Sequence, residues 1–185
     1  MPMDTAARSD SGTQTLAILK SSQSNEWYTP PEHIELVYAV LGDIDLDPAS
    51  SKVANDAAIG AKTIYTEADG DESWRLDGLP WIGNVYCNPP YGGLAGKFAV
   101  KALQEYTNGN MQAGILCLSG YAYETKWFEP ILRNLNIPIC WVYRRVKFIR
   151  IDGTRTASTV GTIYVYIGKE DAAFRRAFSS IGAIR

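Results

Sequence analysis

The sequence predicts an α/β fold built on one mostly parallel sheet. Short strands of apolar and β-branched residues alternate with segments whose apolar residues recur at helical spacing. The last two predicted strands, 139–143 and 162–167, have no helix-length segment between them. We therefore expect these two strands to pair as an antiparallel hairpin at one edge of the sheet.

We predict that the folded part of this chain of 185 residues is a single domain. Residues 1–24 are rich in Ser, Thr, Ala and Gln and hold few large apolar residues, which predicts a disordered or loosely attached tail. Residues 25–185 form the predicted domain, and no internal repeat divides it.

The first predicted helix begins beside Thr29, whose hydroxyl is a candidate cap, and has two prolines in its first turn. Its buried face is predicted from the helical spacing of four apolar residues: Ile34, Val37, Tyr38 and Leu41. His33 falls off that face and is predicted to be a surface residue. Further helices are predicted over three segments: 95–106, 124–135 and 171–178.

Polar residues follow three of the predicted strands at the points where they end. Strands are predicted over 44–49, 61–66, 84–88 and 113–118, and Asp47, Asn88 and Ser119 lie at or just past strand ends. The carboxyl ends of parallel strands meet at one edge of a sheet, where α/β proteins bind their ligands. We expect the three side chains to share that edge.

Composition and absent motifs exclude several classes of protein. No apolar run approaches the length of a membrane span, so no membrane partner is expected. Three scattered cysteines without CxxC spacing favour a reduced, cytoplasmic protein. The single histidine, His33, excludes a histidine-based metal centre, and no metal is predicted. Without GxGxxG, GKS/T or GxSxG, dinucleotide, P-loop and serine-hydrolase sites are disfavoured.

A run of basic residues lies between the last two predicted strands, although the net charge of the chain is only -2. The run comprises Arg144, Arg145, Lys147, Arg150 and Arg155, opposed only by Asp152. Such a patch fits contact with DNA or RNA. A solvated hairpin face is the alternative, and from these residues alone it is favoured.

The segment Asn88-Pro89-Pro90-Tyr91 is the most specific motif of the chain. Two prolines end the preceding strand and stiffen the turn, because they lack N–H donors. The Asn88 side-chain oxygen and the Pro89 carbonyl can then accept hydrogen bonds from one amino group, with the Tyr91 ring beside it. This arrangement suits a planar substrate that carries an NH2 group. A strand-terminating turn without function is the alternative.

Three motifs in order give the chain a family resemblance: Tyr28-Thr29-Pro30, Asp47-Pro48-Ala49 and Asn88-Pro89-Pro90-Tyr91. The chain resembles amino-methyltransferases that use S-adenosylmethionine, most closely the phage-type DNA N6-adenine methyltransferases. The resemblance runs from about residue 26 to 167, including the motifs at 126–128 and 145–148. One departure from the wider superfamily is the Asp-Pro-Ala turn, which replaces its glycine-rich turn, as in the phage-type branch.

The resemblance implies a single-domain, Rossmann-like methyltransferase fold and a role for each motif. Tyr28, Thr29 and Pro30 would line the methionine end of S-adenosylmethionine, and Asp47, Pro48 and Ala49 would lie beneath it. An acidic loop would contact its ribose or adenine, through Asp77 as first choice and Asp69 as second. A solvated loop is the equal alternative for these two carboxylates.

For the substrate, the resemblance implies DNA adenine. Asn88 and Pro89 would accept the N6 hydrogens, Tyr91 would stack on the base, and Phe148 would face it from the other side or serve only core packing. Phosphates would contact the basic residues Arg144, Arg145 and Lys147. The alternatives are another amino acceptor (RNA adenine, DNA cytosine N4 or protein glutamine) and a non-catalytic nucleic-acid-binding protein. A phage enzyme would act in the host cytoplasm.

Overall fold

Helices and strands alternate along the part of the chain that the computed structural model describes, residues 27–66, 76 and 78–185. The helices are α1 Pro31–Leu41, α2 Lys52–Ala54, α3 Leu94–Thr107, α4 Glu129–Arg133 and α5 Asp171–Phe178. The strands are β1 Leu46–Asp47, β2 Thr63–Ile64, β3 Gly83–Cys87, β4 Met111–Ser119, β5 Ile139–Val142, β6 Lys147–Ile149, β7 Arg155–Ala157, β8 Thr162–Ile167 and β9 Gly182–Ile184.

A seven-stranded sheet has the order β2-β1-β3-β4-β8-β5-β9, and β6 and β7 form a separate two-stranded hairpin. Strands β1 to β4 pair in parallel, whereas β8 runs antiparallel to both β4 and β5. It follows that β5 points the same way as β1 to β4, which confirms the predicted mostly parallel sheet.

The predicted antiparallel pairing of the last two strands is confirmed, but their predicted position at the edge is wrong. Strand β8 lies between β4 and β5, and the short β9 pairs outside β5 to form the edge. Strand β9 is only three residues long, Gly182–Ile184, which is too short for an alternating pattern to reveal it.

Helices cover both faces of the sheet, because alternate residues of the strands point to opposite faces. On β4, Leu116 and Leu118 pack with α3, whereas Ile115 and Cys117 face α1 and α5. The second face is notably aromatic, with Phe174 and Phe178 of α5 stacked at 4.5 Å between ring centroids. Burial on both faces agrees with the fully buried pattern of β8.

Two predicted helices differ from the observed ones. Helix α1 begins at Pro31 without a side-chain cap, so the cap predicted for Thr29 is wrong; its hydroxyl bonds to Tyr86 instead. The predicted helix over 124–135 is a pair of 3-10 turns, Gly120–Glu124 and Lys126–Phe128, followed by α4. The reason is Pro130, which lacks an N–H and is accepted only in the first turn of a helix.

A short helical segment between β1 and β2 was not predicted. Helix α2 begins after Ser51, whose hydroxyl accepts a hydrogen bond from the Ala54 N–H, and continues as a wider turn over Asn55–Ile59. Gly60 ends it with a positive φ of 64°, which glycine adopts without strain. Within the described residues, no helix has the length and apolar character needed to cross a bilayer.

Candidate active site

Three strand ends converge on one edge of the sheet, as predicted. Asp47 ends β1, Asn88 follows β3 and Ser119 ends β4, and these strands are consecutive parallel neighbours. The site described below is built on their carboxyl ends and on the segment Trp27–Pro30, which leads into α1.

The amide of Asn88 is held in one orientation by the segment before α1. Its Nδ2 donates to the Trp27 carbonyl at 2.8 Å and more weakly to Thr29 Oγ1 at 3.4 Å. Because the nitrogen makes both contacts, the opposite atom, Oδ1, is left as an acceptor with no hydrogen bond from the described residues. Asn88 is therefore set to accept a hydrogen bond from a ligand.

Thr29 connects Asn88 to a row of buried polar side chains across the sheet. Its Oγ1 lies 2.6 Å from the Tyr86 hydroxyl of β3. Cys117 of β4 lies beside the hydroxyls of Tyr86 and Tyr164, and it is the register partner of Tyr164 in β8. Burial raises the pKa values of both phenols, so they stay neutral hydrogen-bonding groups.

The row ends at His33, and the prediction that His33 is a simple surface residue is wrong. Its Nδ1 lies 2.9 Å from the Tyr164 hydroxyl, and the two rings stack at 5.7 Å between centroids. Burial lowers the pKa of His33, and the neighbouring Glu32 partly opposes that shift. The helical pattern of α1 could not show this contact, because His33 packs at the border of its apolar face.

Asp47 is a buried carboxyl group at the end of β1, only 1% exposed. The Ala49 N–H donates to its Oδ1 at 3.0 Å. Burial nevertheless raises the pKa of Asp47 to about 7, because this hydrogen bond and one from Ser50 offset only part of the desolvation. No Lys or Arg of the described residues forms an ion pair with it.

Tyr28 and the Asp47 turn meet on the same side of Asn88. The Ser51 hydroxyl, four residues after Asp47, lies 3.5 Å from the Tyr28 hydroxyl. Pro30 and Pro48 are buried, and Tyr28 and Ala49 are half-buried. The structure thus brings together the predicted cofactor residues Tyr28, Thr29, Pro30, Asp47, Pro48 and Ala49, here called the cofactor side.

A cavity of about 410 Å³ opens beside the Asn-Pro-Pro turn, and none of the six residues of the cofactor side lies in its wall. Pro89, Tyr91 and Phe148, which were predicted as site residues, all lie in its wall. Tyr91 is 45% exposed, whereas Phe148 is buried apart from the cavity. The wall is mainly apolar and aromatic, so a bound planar group would lose most of its contact with water.

Sequence reasoning missed much of this cavity wall. The additional residues include Trp27, Tyr121, Trp127 and the turn Ser158–Val160 after β7. A close contact fixes the Trp127 ring, because a Cβ on Gly96 of α3 would lie 2.7 Å from it. The sequence carries a signal for this turn, because residues 156–159 are rich in hydroxyl groups and lack the large apolar side chains of a buried strand.

The β6–β7 hairpin forms one wall of the cavity and is attached to the segment before α1. Tyr28 and Ile149 exchange two backbone hydrogen bonds of 2.8 and 2.9 Å, which form an isolated antiparallel bridge between Tyr28 and β6. The Arg150 guanidinium lies over the Trp27 ring, 5.5 Å from its centroid. Phe148 of β6 directly precedes these two anchored residues and is therefore held in position at the cavity.

The basic run separates into two groups. Arg155 makes a two-pronged ion pair with Glu32 of α1, at 2.5 and 3.2 Å, so it is already neutralised. Arg144, Arg145 and Lys147 are exposed at the start of the hairpin, and no carboxylate of the described residues pairs with them. Their predicted role in binding phosphates stays a prediction.

Asp69 and Asp77 lie outside the described residues, as does the predicted tail over 1–24, and their predicted roles stay predictions.

No group of His, Cys, Asp and Glu in the described chain could hold a metal ion. All three cysteines are buried, and burial raises the pKa values of Cys117 and Cys140 to about 12. Neither thiol is therefore activated as a nucleophile.

Comparison with known proteins identifies a family for the chain. No individually curated protein matches the chain. The sequence model of one family, described as DNA N-6-adenine-methyltransferase (Dam), matches residues 17–180 and so spans every element of the site. This match extends over most of the chain and includes the resemblance seen in the motifs. The protein belongs to the DNA N-6-adenine-methyltransferase family.

Proposed function

We propose that this protein transfers a methyl group from S-adenosylmethionine to the exocyclic N6 of adenine in DNA. The observation that carries the proposal is the orientation of Asn88. Its Nδ2 is bonded to the Trp27 carbonyl and its Oδ1 is left as an acceptor, while the next residue, Pro89, lies in the wall of a cavity lined by aromatic rings. The family match supports DNA adenine as the acceptor.

The cofactor side fits S-adenosylmethionine by the chemistry of its donor groups. Asp47 is a buried carboxyl group without a cation from the described residues, and a carboxylate in that position gains most from a positively charged ligand. When bound, the cofactor supplies a methyl group on a sulfonium sulfur. Residues proposed to hold it are Tyr28, Thr29, Pro30, Asp47, Pro48 and Ala49, with Asp77 or Asp69 at its ribose or adenine.

Asn88 and Pro89 would prepare the acceptor nitrogen for attack. The lone pair of adenine N6 is conjugated with the ring, which makes the nitrogen a poor nucleophile. Hydrogen bonds from its two N–H groups to Asn88 Oδ1 and the Pro89 carbonyl would favour a tetrahedral nitrogen whose lone pair is free. Because the acceptors are already oriented, positioning and electrostatics would supply most of the rate, and no strong base is needed.

The cavity would hold the target base against Tyr91, with Phe148 on its other side. A base stacked within a duplex cannot reach such a cavity, so the enzyme would extrude it or act on single strands. Arg144, Arg145 and Lys147 would bind phosphates outside the cavity. If the gene is of phage or prophage origin, as the resemblance suggests, the modification would take place in the host cytoplasm.

The proposal is tested by offering DNA, RNA and protein separately with labelled cofactor and locating the transferred methyl group. We expect label on adenine N6 in DNA. Label on cytosine N4, on RNA or on a protein glutamine would keep the chemistry and change the acceptor. Failure to bind S-adenosylmethionine, measured by calorimetry, would support instead a non-catalytic nucleic-acid-binding protein.

The substitution Asn88→Ala tests the role of the motif. It should lower the rate of methyl transfer by roughly 10²–10³-fold, the usual cost of removing one preorganised hydrogen-bonding group from a reacting centre. Cofactor affinity should largely survive. Asn84→Ala is the matched control, since Asn84 lies at the other end of β3 and donates to the Leu41 carbonyl. Retained methylation by Asn88→Ala would refute the mechanism.

A further inference from the structure

Exposed tyrosines are concentrated at one edge of the sheet. The chain has 11 tyrosines, all among the described residues, and four of them are exposed: Tyr91, Tyr121, Tyr123 and Tyr143. All four follow the carboxyl ends of strands that point the same way, Tyr91 after β3, the pair at 121 and 123 after β4, and Tyr143 after β5. Tyr91 has a role in the proposed site. Tyr121 lies in the cavity wall without an assigned role, and Tyr123 and Tyr143 are not among the residues that line the cavity.

The three rings lie along the edge that begins at the cavity, the first two on the turn after β4 and the third just after β5. Tyr121 lines the cavity and is 62% exposed. Tyr123, two residues on, meets the Trp141 ring of β5 edge-on at 5.9 Å between centroids. Tyr143 is two residues beyond Trp141 and continues the extended pairing through its N–H to the Ile181 carbonyl at 3.0 Å, so it shares the face of Trp141.

The charge beside this row is predominantly positive. Arg144 and Arg145 directly follow Tyr143, and both are exposed without an ion pair to the described residues. One carboxylate is close, that of Glu124, which interacts with the Tyr123 hydroxyl and raises the pKa of that phenol. Exposed rings next to exposed arginines are an arrangement by which proteins bind unpaired nucleotides, because the rings stack on bases and the cations bind phosphates.

We propose that Tyr121, Tyr123 and Tyr143 form a stacking platform for unpaired nucleotides adjacent to the target adenine, with Arg144 and Arg145 on their phosphates. The inference rests on the proposed function, because it extends the cavity for the target base along the same DNA strand. Bases in a duplex are already stacked on each other, so exposed rings add affinity only for single-stranded or locally opened DNA. The platform therefore selects single-stranded over duplex DNA.

The test is equilibrium binding of a fluorescein-labelled adenine-containing oligonucleotide, as a single strand and as a duplex, measured by anisotropy in the full chain without turnover. Tyr123→Ala and Tyr143→Ala should each weaken single-strand binding by roughly fivefold or more, and should leave duplex binding unchanged. Tyr143→Phe should bind like the wild type, because the ring is kept. Ile82→Ala is the matched control, since Ile82 is also 62% exposed but precedes β3, at the opposite edge.

The arginines should act differently in the same assay. Replacing both Arg144 and Arg145 by Gln should make the dependence of affinity on salt less steep, by roughly 0.7 in the log–log slope for each phosphate that the protein no longer neutralises. The tyrosine variants should leave this slope unchanged. Unchanged single-strand affinity of Tyr123→Ala and Tyr143→Ala, or an equal loss on single strand and duplex, would overturn the platform. The proposed function fails separately, when the wild type binds DNA but transfers no methyl group to it.

Discussion

The two sides of the Asn-Pro-Pro turn are built in opposite ways. On the cofactor side, Thr29 and Asp47 are at most 1% exposed, as is Tyr86, which bonds to Thr29, and each makes a hydrogen bond inside the protein. At the rim, formed by the proposed platform and the two arginines after it, Tyr121 and Tyr143 are 62% and 70% exposed, and the arginines form no ion pair with the described residues. One side is part of the core, and the other is open surface.

The difference shows where geometry is fixed and where binding is adjustable. A buried polar group without its partner costs about 1–3 kcal/mol, so the hydrogen bonds on the cofactor side hold Asn88 in one orientation. Exposed side chains at the rim are free to change rotamer and can adapt to a flexible strand. Substitutions on the cofactor side should therefore alter cofactor binding and chemistry, and substitutions at the rim should alter only DNA binding.

The largest effect on cofactor binding should come from removing the charge of Asp47. In Asp47→Asn, cofactor affinity at about pH 7.5 should fall roughly 10- to 100-fold, the usual worth of a hydrogen bond to a charged group. For the wild type, cofactor affinity should rise as the pH rises from about 5.5 to about 7, because the Asp47 carboxyl must lose its proton to bind a cation and its pKa is about 7. Calorimetry across this pH range measures the cofactor affinity of the wild type and of Asp47→Asn. The affinity of Asp47→Asn should show no such rise with pH.

Without ligand, the same carboxyl should affect stability in the opposite direction. The folded Asp47 keeps its proton up to about pH 7, whereas the unfolded one loses it near its ordinary value of 3.8, so the folded state binds more protons in between. Its contribution to the free energy of unfolding therefore falls as pH rises from about 4 to about 7. Urea denaturation of wild type and Asp47→Asn at several pH values checks this, and parallel curves would contradict it.

A smaller effect is expected from Tyr86→Phe, which removes only the hydroxyl that bonds to Thr29. The free energy of unfolding should fall by about 1 kcal/mol, and kcat should fall several-fold as Asn88 loses a support of its orientation. The KM for DNA should not change. Tyr38→Phe is the matched control, since its hydroxyl bonds to the Ile59 carbonyl far from the site and should affect stability alone. A changed KM with unchanged kcat would contradict the separation of the two sides.

The smallest effect is expected from Arg155→Gln. Its partner Glu32 is 53% exposed and Arg155 itself 46%, so solvent and salt screen the pair. Melting temperature should shift by no more than about 4 °C, and methyl transfer should stay within about twofold of wild type. The hairpin should keep its place through the Tyr28–Ile149 backbone bonds. A large loss of activity would mean that the surface ion pair, and not the backbone, positions Phe148.

The fold and the convergence of Asp47 and Asn88 at one edge of the sheet were largely predictable from sequence, because both depend on local patterns. Strand ends are marked by Asp47 and by the two prolines after Asn88, and the parallel order of β1, β3 and β4 brings them together. The exposed position of Arg144 and Arg145 also followed from composition. Family membership followed from three short motifs in the right order, which the family match confirms.

The remaining features depend on contacts between distant residues, which periodicity cannot reveal. The hydroxyl of Thr29, just before a proline, could either cap the helix or bond to a distant side chain. The local sequence does not distinguish these roles, and the structure shows the bond to Tyr86. His33 is polar, and only the position of β8 beneath α1 makes it a half-buried partner of Tyr164. The turn Ser158–Val160 reaches the cavity because β8 inserts between β4 and β5, an order that short strands do not encode locally.

The burial of every cysteine has a practical consequence for experiments on this protein. Cys87, Cys117 and Cys140 are the three cysteines of the chain, all inside the sheet, and burial keeps the thiols of the latter two protonated at neutral pH. Maleimides react with exposed thiolates, so the folded wild type should resist them. A cysteine introduced at residue 135, in place of the 76% exposed Leu135, would then carry a single dye. The unmodified protein thus provides a ready background for fluorescence studies of how DNA arrives and leaves.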